Sequence, residues 1–133
     1  MQSGPAPIKV FLADDSDLIC ERLRGMLGAA GMRVVGCAQT PQACFDGILA
    51  TQPDVVVLDV QLHGGSGIEV LRTVRLAAPD VAFVAFSNNS GAAYRKRYLA
   101  EGALEFVDKS TEFDLLAPAV ARAGRHATQS ARK

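Results

Sequence analysis

Pro53 to Gly67 reads PDVVVLDVQLHGGSG, and its first half decides the fold class. Val55, Val56, Val57 and Leu58 form an apolar run with no polar residue between them. A strand with one wet face alternates polar and apolar residues, whereas a strand covered by helices on both faces does not. The run therefore predicts a central strand of a parallel sheet. Asp59 stands where that strand ends, at the rim where open α/β sheets place their ligands. A Gly-rich loop, Gln61 to Gly67, follows it.

The same reading extends outward in both directions. Ile8 to Ala13 (IKVFLA), Arg33 to Cys37, Val81 to Phe86 (VAFVAF) and Leu104 to Val107 are four further strand signals, the second less apolar and so placed at a sheet edge. Between them lie helical stripes. Ile19, Leu23, Met26 and Leu27 fall at i, i+4, i+7 and i+8, after a cap at Asp15 or Ser16 and before Gly28 and Gly31. Thr40-Pro41 opens a second helix in cap-then-proline order, and Pro53 forbids its extension. Ile68, Val70, Leu71 and Val74 give a third, ended near Pro79. A polar helix spans roughly 91 to 101, and Thr111 is expected to cap the last one, through Leu116 and Val120. Five strands alternating with five helices predict a doubly wound α/β domain with a five-stranded parallel sheet. Strand order 2-1-3-4-5, the flavodoxin-like arrangement, puts a crevice between strands 1 and 3. We expect a flexible arm over residues 1–7, one domain over 8–124, and a frayed tail over 125–133 where periodicity is lost.

Composition narrows the function classes. A chain of 133 residues suits one domain with a substantial core. Fourteen basic and fourteen acidic residues balance, so bulk charge gives no argument for nucleic acid or a membrane surface. No segment approaches the ~18 consecutive apolar residues of a membrane span. Cys20, Cys37 and Cys44 are odd in number and lack CxxC spacing. They read as three semi-buried residues of a reducing, cytoplasmic protein rather than as a zinc site or disulfide framework.

The strand ends carry the chemistry. Asp14-Asp15, Asp59, Ser87 and Lys109 follow four of the five strands, while the edge strand ending at Cys37 adds nothing of this kind. Like charges ~4 Å apart cost about 4 kcal/mol at an effective dielectric of ~20. Three converging acids therefore call for a cation, supplied by Lys109 and by a hard divalent ion such as Mg2+, which suits carboxylates, a backbone carbonyl and waters. A hydroxyl and an ammonium beside the metal suit the oxygens of a phosphoryl group. The plain alternative, helix caps and a turn acid, leaves that convergence without a purpose.

With these residues in view, the sequence resembles the receiver domains of two-component response regulators, from Ile8 to about Arg122. The resemblance rests on Asp14-Asp15, on Asp59 followed by VQLHGGSGIE, on Ser87-Asn88, and on FVDKS ending at Ser110. It implies that Asp59 accepts a phosphoryl group from the phosphohistidine of a sensor histidine kinase or a phosphotransfer protein. It implies that Asp14, Asp15, Asp59 and the Gln61 carbonyl hold Mg2+. Lys109 and Ser87 would bind phosphoryl oxygens, and Phe106 would be the aromatic switch that turns inward as Ser87 moves. The family reads its state through helix 4, strand 5 and helix 5. Tyr94, Arg95 and Tyr98 of the YRKRY segment are accordingly expected on a surface for a downstream protein, with a solvated basic helix as the plain alternative. Nucleic-acid contact through three charges is weak support. A monomer and a phosphorylation-dependent dimer both fit.

Two departures stand out. His63 replaces the proline usual four residues after the acceptor, and Ser110 replaces the proline that commonly follows the lysine. The first implies a looser loop. The second leaves the Lys109–Ser110 peptide geometry open, because a cis bond costs ~3–4 kcal/mol without proline. Two rival functions remain: a Mg2+-dependent phosphatase or hydrolase, and a pseudo-receiver that only binds. Against the first, Gln61 stands two after Asp59 where a general acid would be useful. Against the second stand the intact acids and Lys109.

Overall fold

The computed structural model describes residues 6–88 and 91–131. Of the expected N-terminal arm, residues 1–5 lie outside the described residues, as do residues 132 and 133 of the expected frayed tail. Five strands, β1 (Lys9–Ala13), β2 (Arg33–Ala38), β3 (Val55–Leu58), β4 (Ala82–Ser87) and β5 (Glu105–Asp108), alternate with five helices. The helices are α1 (Asp17–Ala29), α2 (Pro41–Thr51), α3 (Gly67–Ala77), α4 (Ala92–Ala100) and α5 (Leu116–Ala131). The strands pair in parallel in the order β2-β1-β3-β4-β5. This is the expected flavodoxin-like doubly wound sheet, with β3 in the middle.

Successive residues of each strand feed opposite cores. Val56 and Leu58 of β3 join Phe11, Phe83 and Ala85 beneath α2 and α3, while Val55 and Val57 join Leu12, Val84 and Phe86 beneath α1 and α5. All four β3 side chains are buried, and each is worth about 1.5–3 kcal/mol against exposure. That two-sided burial is why the run does not alternate. Asp54 fixes the start of the strand: its carboxylate accepts from the Lys9 amide at 2.9 Å, and its own amide donates to the Lys9 carbonyl.

Several local expectations need correction. Ser16 caps α1, accepting from the Ile19 amide, but Gly28 lies inside that helix and only Gly31, at φ +85°, takes the left-handed turn. Part of the Gly-rich loop pairs with itself, as Gln61–Leu62 runs antiparallel to Gly65–Ser66. Thr111 does not cap α5. A 3-10 turn, Phe113–Leu115, precedes it instead. The tail expected to fray from residue 125 is helical to Ala131. Its stripe, Leu116, Ala119, Val120, Ala123 and Ala127, is buried, and small alanines carry it where larger apolar residues stop.

The cysteine reading is also overturned. Cys20 of α1 and Cys37 of β2 are joined as a disulfide, and Cys44 is a buried free thiol. Seventeen residues separate the pair, so no short motif announces it. The contact arises because α1 packs beside the strand that follows it. The cysteines therefore give no support to a reducing compartment. Burial, with Asp14 nearby, pushes the Cys44 thiol up to about 12.

Gly67 opens α3 where a side chain has no room. A Cβ there would run into the Asp59 carbonyl oxygen and press on the Tyr98 hydroxyl. Gly67→Ala is expected to cost about 1–3 kcal/mol in urea unfolding, with the change centred on the loop after β3.

Candidate functional site

The acid cluster is built by turns at the ends of β1 and β3. Past β1, the Asp14 amide donates to the Ala38 carbonyl, and Asp14 Oδ1 accepts from the Ser16 amide at 3.0 Å. This turn buries Asp14 and pushes Asp15 outward, where it is exposed. Past β3, the Asp59 amide donates to the Ala13 carbonyl at 2.9 Å, continuing the ladder and bringing Asp59 beside the pair. Asp14, Asp15 and Asp59 each offer a carboxylate oxygen within 4.8 Å of the others. Lys109 enters from the end of β5. Its Nζ lies 2.6 Å from Asp14 Oδ2 and 3.0 Å from Asp59 Oδ2. The contact with Asp59 is a hydrogen bond, whereas Asp14 Oδ2 takes the charge without hydrogen-bond alignment.

Burial sets the electrostatics. It pushes the Asp59 carboxyl above its usual range, the charge of Asp14 adds to the rise, and Lys109 opposes it. For Lys109, burial pulls downward, but its close contacts with the Asp14 and Asp59 carboxylates outweigh it and raise its pKa, so the ammonium stays charged. Three carboxylates against one ammonium leave two negative charges uncompensated. That balance, with oxygen donors converging on one point, fits a hard divalent cation. The cluster opens onto a cavity of about 450 Å3 lined by Asp15, Asp59, Gln61, Ser87, Asn88 and Lys109. The expected site residues of β1, β3, β4 and β5 thus meet at one rim.

Three features were not foreseen. Asp108 organises the chain after Lys109: its Oδ1 accepts from the Ser110 amide and hydroxyl, each at 2.7 Å, and from the Thr111 amide at 3.2 Å. No cis peptide occurs among the described residues, Lys109–Ser110 included, and this Asx turn shapes the chain that follows. The Asp-Lys-Ser-Thr string is a turn signal of that type. Arg22 of α1 also lines the cavity, stacked 4.3 Å above the Phe113 ring. Finally, the loop carrying His63 is pinned, since the His63 amide donates to the Gln39 carbonyl at 2.8 Å and the Gly67 amide to the Val60 carbonyl at 2.8 Å.

A family model described as the response regulator receiver domain matches residues 10–121. The chain belongs to the response regulator receiver domain family. This receiver is 38% identical over 104 residues to a protein-glutamate methylesterase/protein-glutamine glutaminase of Thiobacillus denitrificans, a match covering 77% of the chain and 29% of that protein. It is 29% identical over 114 residues to response regulator GacA of Pseudomonas aeruginosa, covering 85% of the chain and 53% of that protein. The chain thus spans about half or less of the length of these relatives. Among solved structures, the response regulator domain of Thermotoga maritima CheB superposes with a TM-score of 0.79 at 27% identity, covering 92% of this chain and 97% of that one.

The α4 end of the receiver differs from expectation. Phe106 is buried, edge-on to Tyr98 with ring centroids 6.3 Å apart. Tyr98, expected on a partner surface beside Tyr94, is 2% exposed, whereas Tyr94 is 42% exposed. The two tyrosines are four residues apart on α4, yet only Tyr98 reaches a slot in the core. Arg95 is half-buried and leans the other way. Its guanidinium lies 5.1 Å above the Phe106 ring, donates to the Phe106 carbonyl at 3.1 Å and meets Glu112 at 3.5 Å.

Proposed function

We propose that this receiver is a phosphorylation-switched signalling module whose acceptor is Asp59. The supporting observation is Lys109, ion-paired to Asp14 and Asp59 at the mouth of the three-acid cluster. In the transfer, an Asp59 carboxylate oxygen forms a bond to phosphorus as the bond from phosphorus to the donor's imidazole nitrogen breaks. The imidazole leaves with the electron pair. The donor is a phosphohistidine of a sensor histidine kinase or a phosphotransfer protein. Asp14, Asp15, Asp59 and the Gln61 carbonyl would hold Mg2+, which would neutralise charge on the transferring oxygens. Lys109 and Ser87 would hold two of those oxygens in place. Water later hydrolyses the acyl phosphate and resets the module.

Phosphorylation would then shift an existing equilibrium of the surface formed by α4, β5 and α5. Tyr94 and Arg95 remain on that surface as contacts for a downstream protein. Reading through a protein partner, rather than nucleic acid, and residence in the cytoplasm belong to the same proposal. No described helix is long and apolar enough to cross a membrane. The chain turns over no separate substrate in this reading, and the methylesterase name of one relative belongs to a protein more than three times as long as the matched part.

The test is intact mass after incubation with Mg2+ and a small acyl phosphate. One phosphoryl adduct, labile to hydroxylamine and absent from Asp59→Asn, is the expected result. An adduct that persists in Asp59→Asn, or no adduct in the unaltered chain, would refute the acceptor role. Many turnovers on a generic phosphoester would favour a hydrolase instead.

A further inference from the structure

The side chains of α4 are unevenly employed. Tyr98 is its one buried residue, and the helix has no side-chain cap at its N-terminus. Its place in the fold therefore depends heavily on where Tyr98 sits. The Tyr98 hydroxyl donates to the Val60 carbonyl at 3.3 Å. That carbonyl, between Asp59 and Gln61, also accepts from the Gly67 amide, so both of its lone pairs are in use. The bare Cα of Gly67 leaves the slot into which the hydroxyl fits. Burial pushes the phenol up to about 12, so it keeps its proton and remains a donor.

On its other side the same ring meets Phe106 edge-on. Phe106 in turn lies beneath Arg95, whose partner Glu112 accepts from the Asp108 amide at 3.0 Å. A continuous set of contacts thus runs from the acceptor loop through α4 to the junction of β5 and α5. The phenol bond is longer than the ~2.7–2.8 Å usual for a hydroxyl donor, which makes it inexpensive to release. Phe106 has no hydroxyl with which to make such a link.

We propose that Tyr98 is a positioning residue that couples the acceptor loop to α4 through the Val60 carbonyl. It supplies from inside the helix a polar link that the aromatic switch position lacks. This inference rests on the acceptor reading of Asp59. When the loop rearranges around a phosphoryl group, the Val60 carbonyl moves, and α4 is retained or released with it. The dependence is reciprocal, so a partner that holds α4 stabilises the loop in the matching state.

The test compares the unaltered chain with Tyr98→Phe, which keeps the ring and its contact with Phe106 while removing the donor. Amide hydrogen exchange is followed with Mg2+ alone and with Mg2+ plus beryllofluoride, a stand-in for the phosphoryl group on a carboxylate. In the unaltered chain, beryllofluoride is expected to change exchange by about tenfold both in the loop 59–67 and in α4, an ordinary coupling strength. In Tyr98→Phe the loop response should persist while the α4 response falls below about twofold. An α4 response equal to that of the unaltered chain overturns the proposal, even if Tyr98→Phe is less stable overall. Loss of both responses in Tyr98→Phe also overturns it, because the hydroxyl would then support the acceptor site itself. If the unaltered chain shows no loop response, the acceptor reading fails and the coupling fails with it, an outcome distinct from the other two.

Discussion

Lys109→Met is expected to cost the metal-free protein about 3–5 kcal/mol in urea denaturation, the ordinary penalty for leaving a buried charge without its partner. Lys109 is nearly buried and so are both acids it serves. Asp14 comes from the end of β1 and Asp59 from the end of β3, two neighbouring strands. Without the ammonium these strands end in two unscreened like charges. Methionine keeps the aliphatic stem beside the Phe86 ring, over which the Lys109 ammonium sits at 5.5 Å, so packing loss is small. Adding Asp59→Asn to the same chain should restore much of the deficit, since one of the two stranded charges is then gone. The two substitutions should therefore be far from additive. A loss below about 1 kcal/mol for Lys109→Met alone would place the ion pairs among those worth little.

Mg2+ is expected to raise stability by about 2.7 kcal/mol when present at a hundredfold excess over its dissociation constant. Asp15→Asn and Asp59→Asn should each weaken this gain. The gain should also depend on pH in a defined direction. Burial and Asp14 raise the Asp59 pKa above that of the unfolded chain. The folded protein then holds a proton where the unfolded chain has already released it. In chelator, the Asp59 contribution is fully present below the ordinary carboxylate range and is lost as pH climbs through the raised value. Metal binding requires the carboxylate, so the Mg2+ gain should grow across the same interval. Urea titrations over a pH series, with chelator and with Mg2+, measure both slopes. A gain that shrinks as pH rises there would contradict a carboxylate site.

Much of this site can be read from residue order alone, and the reasons are local. A run such as Val55 to Leu58 can only be covered on both faces, and residues at strand ends in a parallel sheet must share one rim. Asp14, Asp15, Asp59, Ser87 and Lys109 were legible on that basis. What escaped reading depends on tertiary fit. Tyr94 and Tyr98 have the same chemistry and the same basic neighbours. Their opposite fates follow from the Val60 carbonyl and the space at Gly67, thirty residues away or more. Cys20 and Cys37 meet because a helix lies against an edge strand. Asp108 shapes the chain after Lys109 by accepting three hydrogen bonds, and α5 buries Ala123 and Ala127, which give a weak apolar signal.

The two helices flanking β5 are anchored very unequally. Leu116, Ala119, Val120, Ala123 and Ala127 bind α5 to the sheet, against Tyr98 alone for α4. Freeing a single large buried side chain costs about 1.5–3 kcal/mol, which is comparable to one hydrogen bond to a charged group. One new charge-assisted contact at Asp59 is therefore of the right size to displace α4, whereas α5 lies several times beyond its reach. A partner that touches both helices would find one constant wall and one adjustable wall. Its preference between the two states of the module would be decided almost entirely by where α4 stands.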